Sequence, residues 1–85
     1  MKKPTKKIIN PQNITNNREP PGELIQTIIN TFSKGQKKEA MIELDALIKD
    51  YPLAPLLFNV SGSFYKSNNQ LDAAVTKFKK ALNLA

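Results

Sequence analysis

The chain has 85 residues, 13 of them basic and 7 acidic, and contains no cysteine, histidine or tryptophan. Its length argues for one domain. The missing residue types exclude thiolate and imidazole zinc sites, a disulfide framework, a cysteine nucleophile and a Ser-His-Asp triad. A hydrophobic content of 40% is slightly low for a globular chain, so part of it is expected to stand outside a core.

The net charge of +6 is unevenly spread. Lys2, Lys3, Lys6, Lys7 and Arg18 face only Glu19 before Gly22, whereas the remainder is nearly balanced. The lysines at the start do not lead into a secretory signal, because Ile8-Ile9 is followed at once by Asn10-Pro11 and no apolar stretch develops. A mitochondrial presequence would favour Arg and an amphipathic helix. No apolar run approaches the ~20 residues needed to cross a bilayer. The expected location is the cytoplasm. The excess of Lys over Arg, with abundant Asn and Ile, is what AT-rich codons produce and points to a bacterial genome of low GC content.

Residues 1–21 are expected to be disordered: Pro4, Pro11, Pro20, Pro21 and four asparagines leave almost no apolar pattern to offset chain entropy. From Gly22 the period becomes helical. Leu24, Ile25, Ile28, Ile29 and Phe32 form one apolar face, and Gly35 stops the helix. A second helix carries Ala40, Met41, Leu44, Leu47, Ile48 and Tyr51 and ends at Pro52. Pro55 opens a third, with Leu57, Phe58, Ser61, Gly62 and Tyr65. Asn68-Asn69 closes it, and Asn69 is expected to cap the fourth helix in a variant capping box with Asp72. That helix carries Leu71, Ala74, Val75, Phe78, Ala81 and Leu82. No segment shows the alternation of a strand.

The helical part repeats itself. A shift of 34 positions places Leu24 on Phe58, Thr31 on Tyr65, Gly35 on Asn69, Ala40 on Ala74, Leu44 on Phe78 and Leu47 on Ala81. Apolar residues fall on apolar, turn formers on turn formers. A helix–turn–helix repeated at this period is the signature of a helical solenoid.

The second unit resembles a tetratricopeptide repeat. Phe58, Ser61, Gly62 and Tyr65 have the spacing of the first-helix motif of that family, with Phe for Trp and Ser for Leu. Ala74, Phe78 and Ala81 match its second helix. The first unit matches through Ala40, Leu44 and Pro52, but Ile28 stands where the family has Gly and Leu47 where it has Ala. The resemblance implies an all-α fold, a solenoid of two helical hairpins and four antiparallel helices, with repeats over 22–53 and 54–85. Close packing is expected to set Gly62 against Ala74, with Tyr65 and Phe78 beside them.

In such repeats the first helix of each unit lines a concave groove that holds peptides. By resemblance the groove here would comprise Ile25, Ile29, Phe32 and Ser33 with Leu56, Asn59, Ser63, Lys66 and Ser67. The competing reading is that Ile25, Ile29 and Phe32 cover core or receive the tail. The family's carboxylate-clamp variant is disfavoured, since Ile25 and Ile29 occupy the matching first-helix sites.

Other chemistries are weaker. Glu39 and Glu43, one turn apart, read as solvated acids near a helix start that offset Lys37 and Lys38. Lys77 and Lys80 share a face, but nucleic-acid binding is disfavoured because Phe58, Tyr65 and Phe78 are needed inside. The first lysines lack the apolar anchor that membrane-surface binding needs. The expectation is a non-catalytic protein–protein interaction scaffold without cofactor or metal. The alternative is the N-terminal repeat region of a larger enzyme, such as a transferase.

The fourth helix carries one further expectation. Met41, Leu44, Ile48 and Tyr51 should pack on the third helix through Leu57, Phe58 and Ser61. Their equivalents Val75, Phe78 and Leu82 then form an apolar face without a covering helix. Further repeats or a second copy of the chain would cover it, so the 85 residues are expected to be incomplete as a folding unit.

Overall fold

A computed structural model of the chain describes residues 19–85. Among these the protein is all-helical, with four helices and no strand: α1 (Gly22–Ser33), α2 (Lys37–Asp50), α3 (Pro55–Ser67) and α4 (Leu71–Leu84). None is long and apolar enough to cross a membrane. The expectation of disorder falls almost wholly on residues 1–18, outside the described part. Of the three described residues in that stretch, Pro20 is buried and Pro21 is the N-cap of α1.

The 34-position shift is visible in the backbone. It carries Lys37–Asp50 onto Leu71–Leu84, and the end of α1 at Ser33 onto the end of α3 at Ser67. The turns within the two hairpins repeat as well. Gly35 N–H donates to Phe32 O and Gln36 N–H to Thr31 O; Asn69 N–H donates to Lys66 O and Gln70 N–H to Tyr65 O. Both pairs are the nested closure of a helix C-terminus, which requires a left-handed residue at its centre. Gly35 supplies it at φ 91° and Asn69 at φ 64°.

The position of Asn69 corrects the expected cap. The residue is committed to terminating α3, and Gln70 is the N-cap of α4, without a side-chain cap bond. Asn serves as terminator because it tolerates the left-handed region better than other non-glycine residues. At the other boundaries, Pro55 occupies the first turn of α3, where a missing N–H costs nothing, and Tyr51 N–H donates to Leu47 O just before Pro52.

Helix pairing follows chain order: α1 packs on α2, α2 on α3 and α3 on α4. The core joins Ile25 and Ile28 of α1, Ala40, Leu44 and Leu47 of α2, Ala54, and Leu57, Val60 and Phe64 of α3. Ile29, Phe32, Met41, Ile48 and Tyr51 pack against it, half-buried. Met41, Leu44, Ile48 and Tyr51 thus meet the core to which α3 contributes Leu57, Val60 and Phe64. Phe58 departs from the expectation: it is buried outside that cluster, as are Ala74 and Ala81 of α4. The difference follows from helical spacing, since Leu57, Val60 and Phe64 share one face of α3 while Phe58 and Gly62 turn toward α4.

The close packing expected at Gly62 involves Phe78 directly. The space above Gly62 is taken by the ring of Phe78: a Cβ at Gly62 would lie 2.6 Å from Cε1 and 2.7 Å from Cδ1. Glycine is required there because the Phe78 ring occupies the space that a Cβ would need. Ser61, in the same stretch, is fully buried and its Oγ has no hydrogen-bond partner.

Candidate functional site

α3 presents a strip of exposed side chains away from both packing faces. Leu56, Asn59, Ser63, Lys66 and Ser67 are all exposed. Their spacing of three and four residues places them along one side of the helix. All five were expected at the groove, and they lie together.

The α1 counterparts are less accessible. Ser33 is exposed, but Ile25 is only 7% exposed and belongs to the core, and Ile29 and Phe32 pack half-buried against it. Phe32 stacks on Phe64, and Lys37 Nζ lies 5.6 Å from its ring centroid. These three apolar residues cover the core, as the competing reading had it. The accessible surface is therefore largely polar and lies mainly on α3.

A second surface lies on α4. Val75 is 49% and Leu82 75% exposed. Phe78, between them, is half-buried because its ring rests on Gly62. Leu71, 56% exposed, extends the same line and was not included in the expected face. Its signal was present in the spacing: residues 71, 75, 78 and 82 advance by four, three and four.

A third feature was not foreseen. A cleft of about 330 Å³ opens between α1 and α2, lined by Leu24, Thr27, Ile28, Glu43, Ala46, Leu47 and Asp50. The repeat explains it. Shifted by 34 positions, Leu24 becomes Phe58, Glu43 becomes Lys77 and Ala46 becomes Lys80. In the second hairpin the Phe58 ring is buried, with Lys77 Nζ 5.9 Å and Lys80 Nζ 6.0 Å from its centroid. In the first, a shorter side chain and an alanine leave the equivalent space open, and Leu24 stays 46% exposed.

Lys77 and Lys80 are thus drawn over a buried ring, which is not open for base stacking. Glu39 and Glu43 are exposed, and Glu43 lines the cleft with Asp50. Among the described residues no three acidic side chains converge as metal ligands do.

No protein-family model matches the chain, and neither the curated proteins nor the solved structures compared with it gave a match.

Proposed function

We propose that this chain is a non-catalytic protein–protein interaction scaffold of the cytoplasm, built of two tetratricopeptide-type repeats that hold an extended peptide along α3. The observation that carries the reading is the strip Leu56, Asn59, Ser63, Lys66 and Ser67, exposed and unused by the core. The repetition of helix bounds and turn hydrogen bonds at 34 positions supports the repeat assignment.

The side chains define the partner's chemistry. Asn59, Ser63 and Ser67 offer donors and acceptors for the main chain of an extended peptide, and Lys66 offers a cation. The accompanying apolar contact is Leu56. An extended segment with an acidic side chain and one aliphatic anchor matches this set.

The test is selection from a peptide display library on the intact chain, followed by NMR titration of the selected peptides. Amide shifts are expected to cluster on α3 from Leu56 to Ser67. Asn59→Ala and Lys66→Ala should each weaken binding by roughly 5–10-fold, the value of one hydrogen bond or charge-assisted contact. Selected peptides whose affinity ignores both substitutions would exclude this strip as the site.

A further inference from the structure

The two ends of the helical array differ in chemistry. The core-facing positions Leu57, Val60 and Phe64 of α3 correspond, 34 positions earlier, to Glu23, Gln26 and Asn30 of α1. These three are exposed, and Gln26 Nε2 donates to Asn30 Oδ1 at 3.0 Å. Alongside them Thr27 and Thr31 donate to the helix's own carbonyls at Glu23 and Thr27. The α1 end is a polar face, with one side-chain hydrogen bond along it and two from threonines to the helix backbone. The α4 end is apolar: the α2 residues equivalent to its stripe, Met41, Leu44 and Ile48, meet the core to which α3 contributes, whereas Val75 and Leu82 are exposed. Among the described residues, the α1 face that would meet α4 in a head-to-tail stack is polar at Glu23, Gln26 and Asn30, so it does not match the apolar stripe.

Leu71, Val75, Phe78 and Leu82 have the four–three–four spacing of a coiled-coil seam. The two flanks of the seam are unlike. On one side Ala74 and Ala81 are buried. On the other side Asp72 and Lys79 occupy equivalent flank positions seven residues apart, and both are exposed. When two such seams meet antiparallel, each flank faces the same flank of the other helix. Asp72 then faces Lys79 of the other copy, and Lys79 faces its Asp72. The helix dipoles oppose as well. In the parallel arrangement Asp72 would lie level with Asp72, and Lys79 with Lys79.

We infer that α4 is a homodimerisation surface, and that two copies of this chain pair tail to tail through antiparallel α4 helices. Leu71 packs against Leu82 of the other copy and Val75 against its Phe78. The interface is isologous, as a twofold dimer demands. One 14-residue helix spans only ~21 Å, so the buried area falls below that of a standard interface. The expected dissociation constant is on the order of 10–100 µM. The inference rests on α4 alone and is independent of peptide binding on α3.

Sedimentation equilibrium on the 85-residue chain at physiological ionic strength tests it. A reversible monomer–dimer equilibrium is expected. Asp72→Lys and Lys79→Asp each turn two facing opposite charges into like charges and should weaken the dimer by roughly 5–10-fold. Mixing the two variants in equal amounts pairs Lys with Asp at every contact and should restore wild-type affinity or better. Leu82→Ser should abolish the dimer while leaving the helical circular dichroism unchanged, since Leu82 is 75% exposed. A chain that stays monomeric up to ~1 mM overturns the inference. So does a dimer whose affinity ignores both charge reversals, or one that mixing does not restore, because either result places the contact elsewhere.

Discussion

The ring of Phe32 on α1 stacks on the ring of Phe64 on α3, with centroids 4.0 Å apart and planes 12° from parallel. The contact ties the first hairpin to the second across helices that are not neighbours in sequence. Phe64 is buried, whereas Phe32 keeps partial exposure and has the Lys37 ammonium over its ring. The apolar faces of the two helices thus meet next to the candidate peptide strip without either ring being free to serve it.

Phe32→Ala is expected to lower stability by roughly 2–3 kcal/mol, below the ~3–5 kcal/mol of a fully buried aromatic side chain, because the ring is only partly buried. A double-mutant cycle with Phe64→Ala should show about 0.5–1.5 kcal/mol of coupling from the ring pair itself. Urea unfolding measures both. Strictly additive losses would mean that the stack contributes nothing beyond burial.

At Gly62 the sign of a substitution should depend on Phe78. Gly62→Ala places a Cβ within 3 Å of the Phe78 ring, which must leave its place. The expected cost is about 1–2 kcal/mol, net of the helix propensity gained. In a Phe78→Ala background the same change should stabilise by up to ~1 kcal/mol, because only the propensity gain remains. Thermal or urea melts of the four proteins decide; the same sign in both backgrounds would refute the contact.

Ser61→Ala is expected to raise stability by roughly 1–2 kcal/mol. The buried Oγ carries a desolvation cost with no hydrogen bond to offset it. Alanine also has the higher helix propensity. A loss of stability on this change would indicate that the hydroxyl is satisfied in solution.

The cleft beside Leu24 predicts a stabilising substitution. Leu24→Phe restores the side chain that the second hairpin uses at the equivalent position, and should gain about 0.5–1 kcal/mol by burying ring surface over Ile28 and Leu47. Differential scanning calorimetry would register it as a rise in Tm. An unchanged Tm would show that the ring does not enter the cleft.

The two left-handed turn residues should respond differently to the same replacement logic. Gly35→Ala is expected to cost about 1–2 kcal/mol, because a Cβ at φ 91° is strained. Asn69→Gly should be neutral or stabilising by a few tenths of a kcal/mol, since its φ of 64° already carries that strain. Midpoints of urea transitions compare the two directly.

Periodicity and punctuation determined the helices. Apolar residues at three- and four-residue steps and the markers Gly35, Pro52 and Pro55 located all four elements, because helix formation and termination depend on residues within a turn of one another. The 34-position self-similarity determined that there are two hairpins, and it reappears in the helix bounds and turn hydrogen bonds. Asn69 was legible as a turn former but not as the left-handed terminator, since capping the next helix and closing the last one draw on the same residue type. Which side chains remain accessible was decided only by tertiary packing. Ile25 and Phe32 share the first-helix side of Asn59 and Lys66, yet the α3 face bearing Leu57, Val60 and Phe64 draws them into the core. That the Phe78 ring lies against Gly62 likewise depends on how closely α3 and α4 approach. Spacing along one helix fixes a direction around its axis. The distance to the next helix, and so what that direction meets, is set by the volumes of side chains far away in the chain.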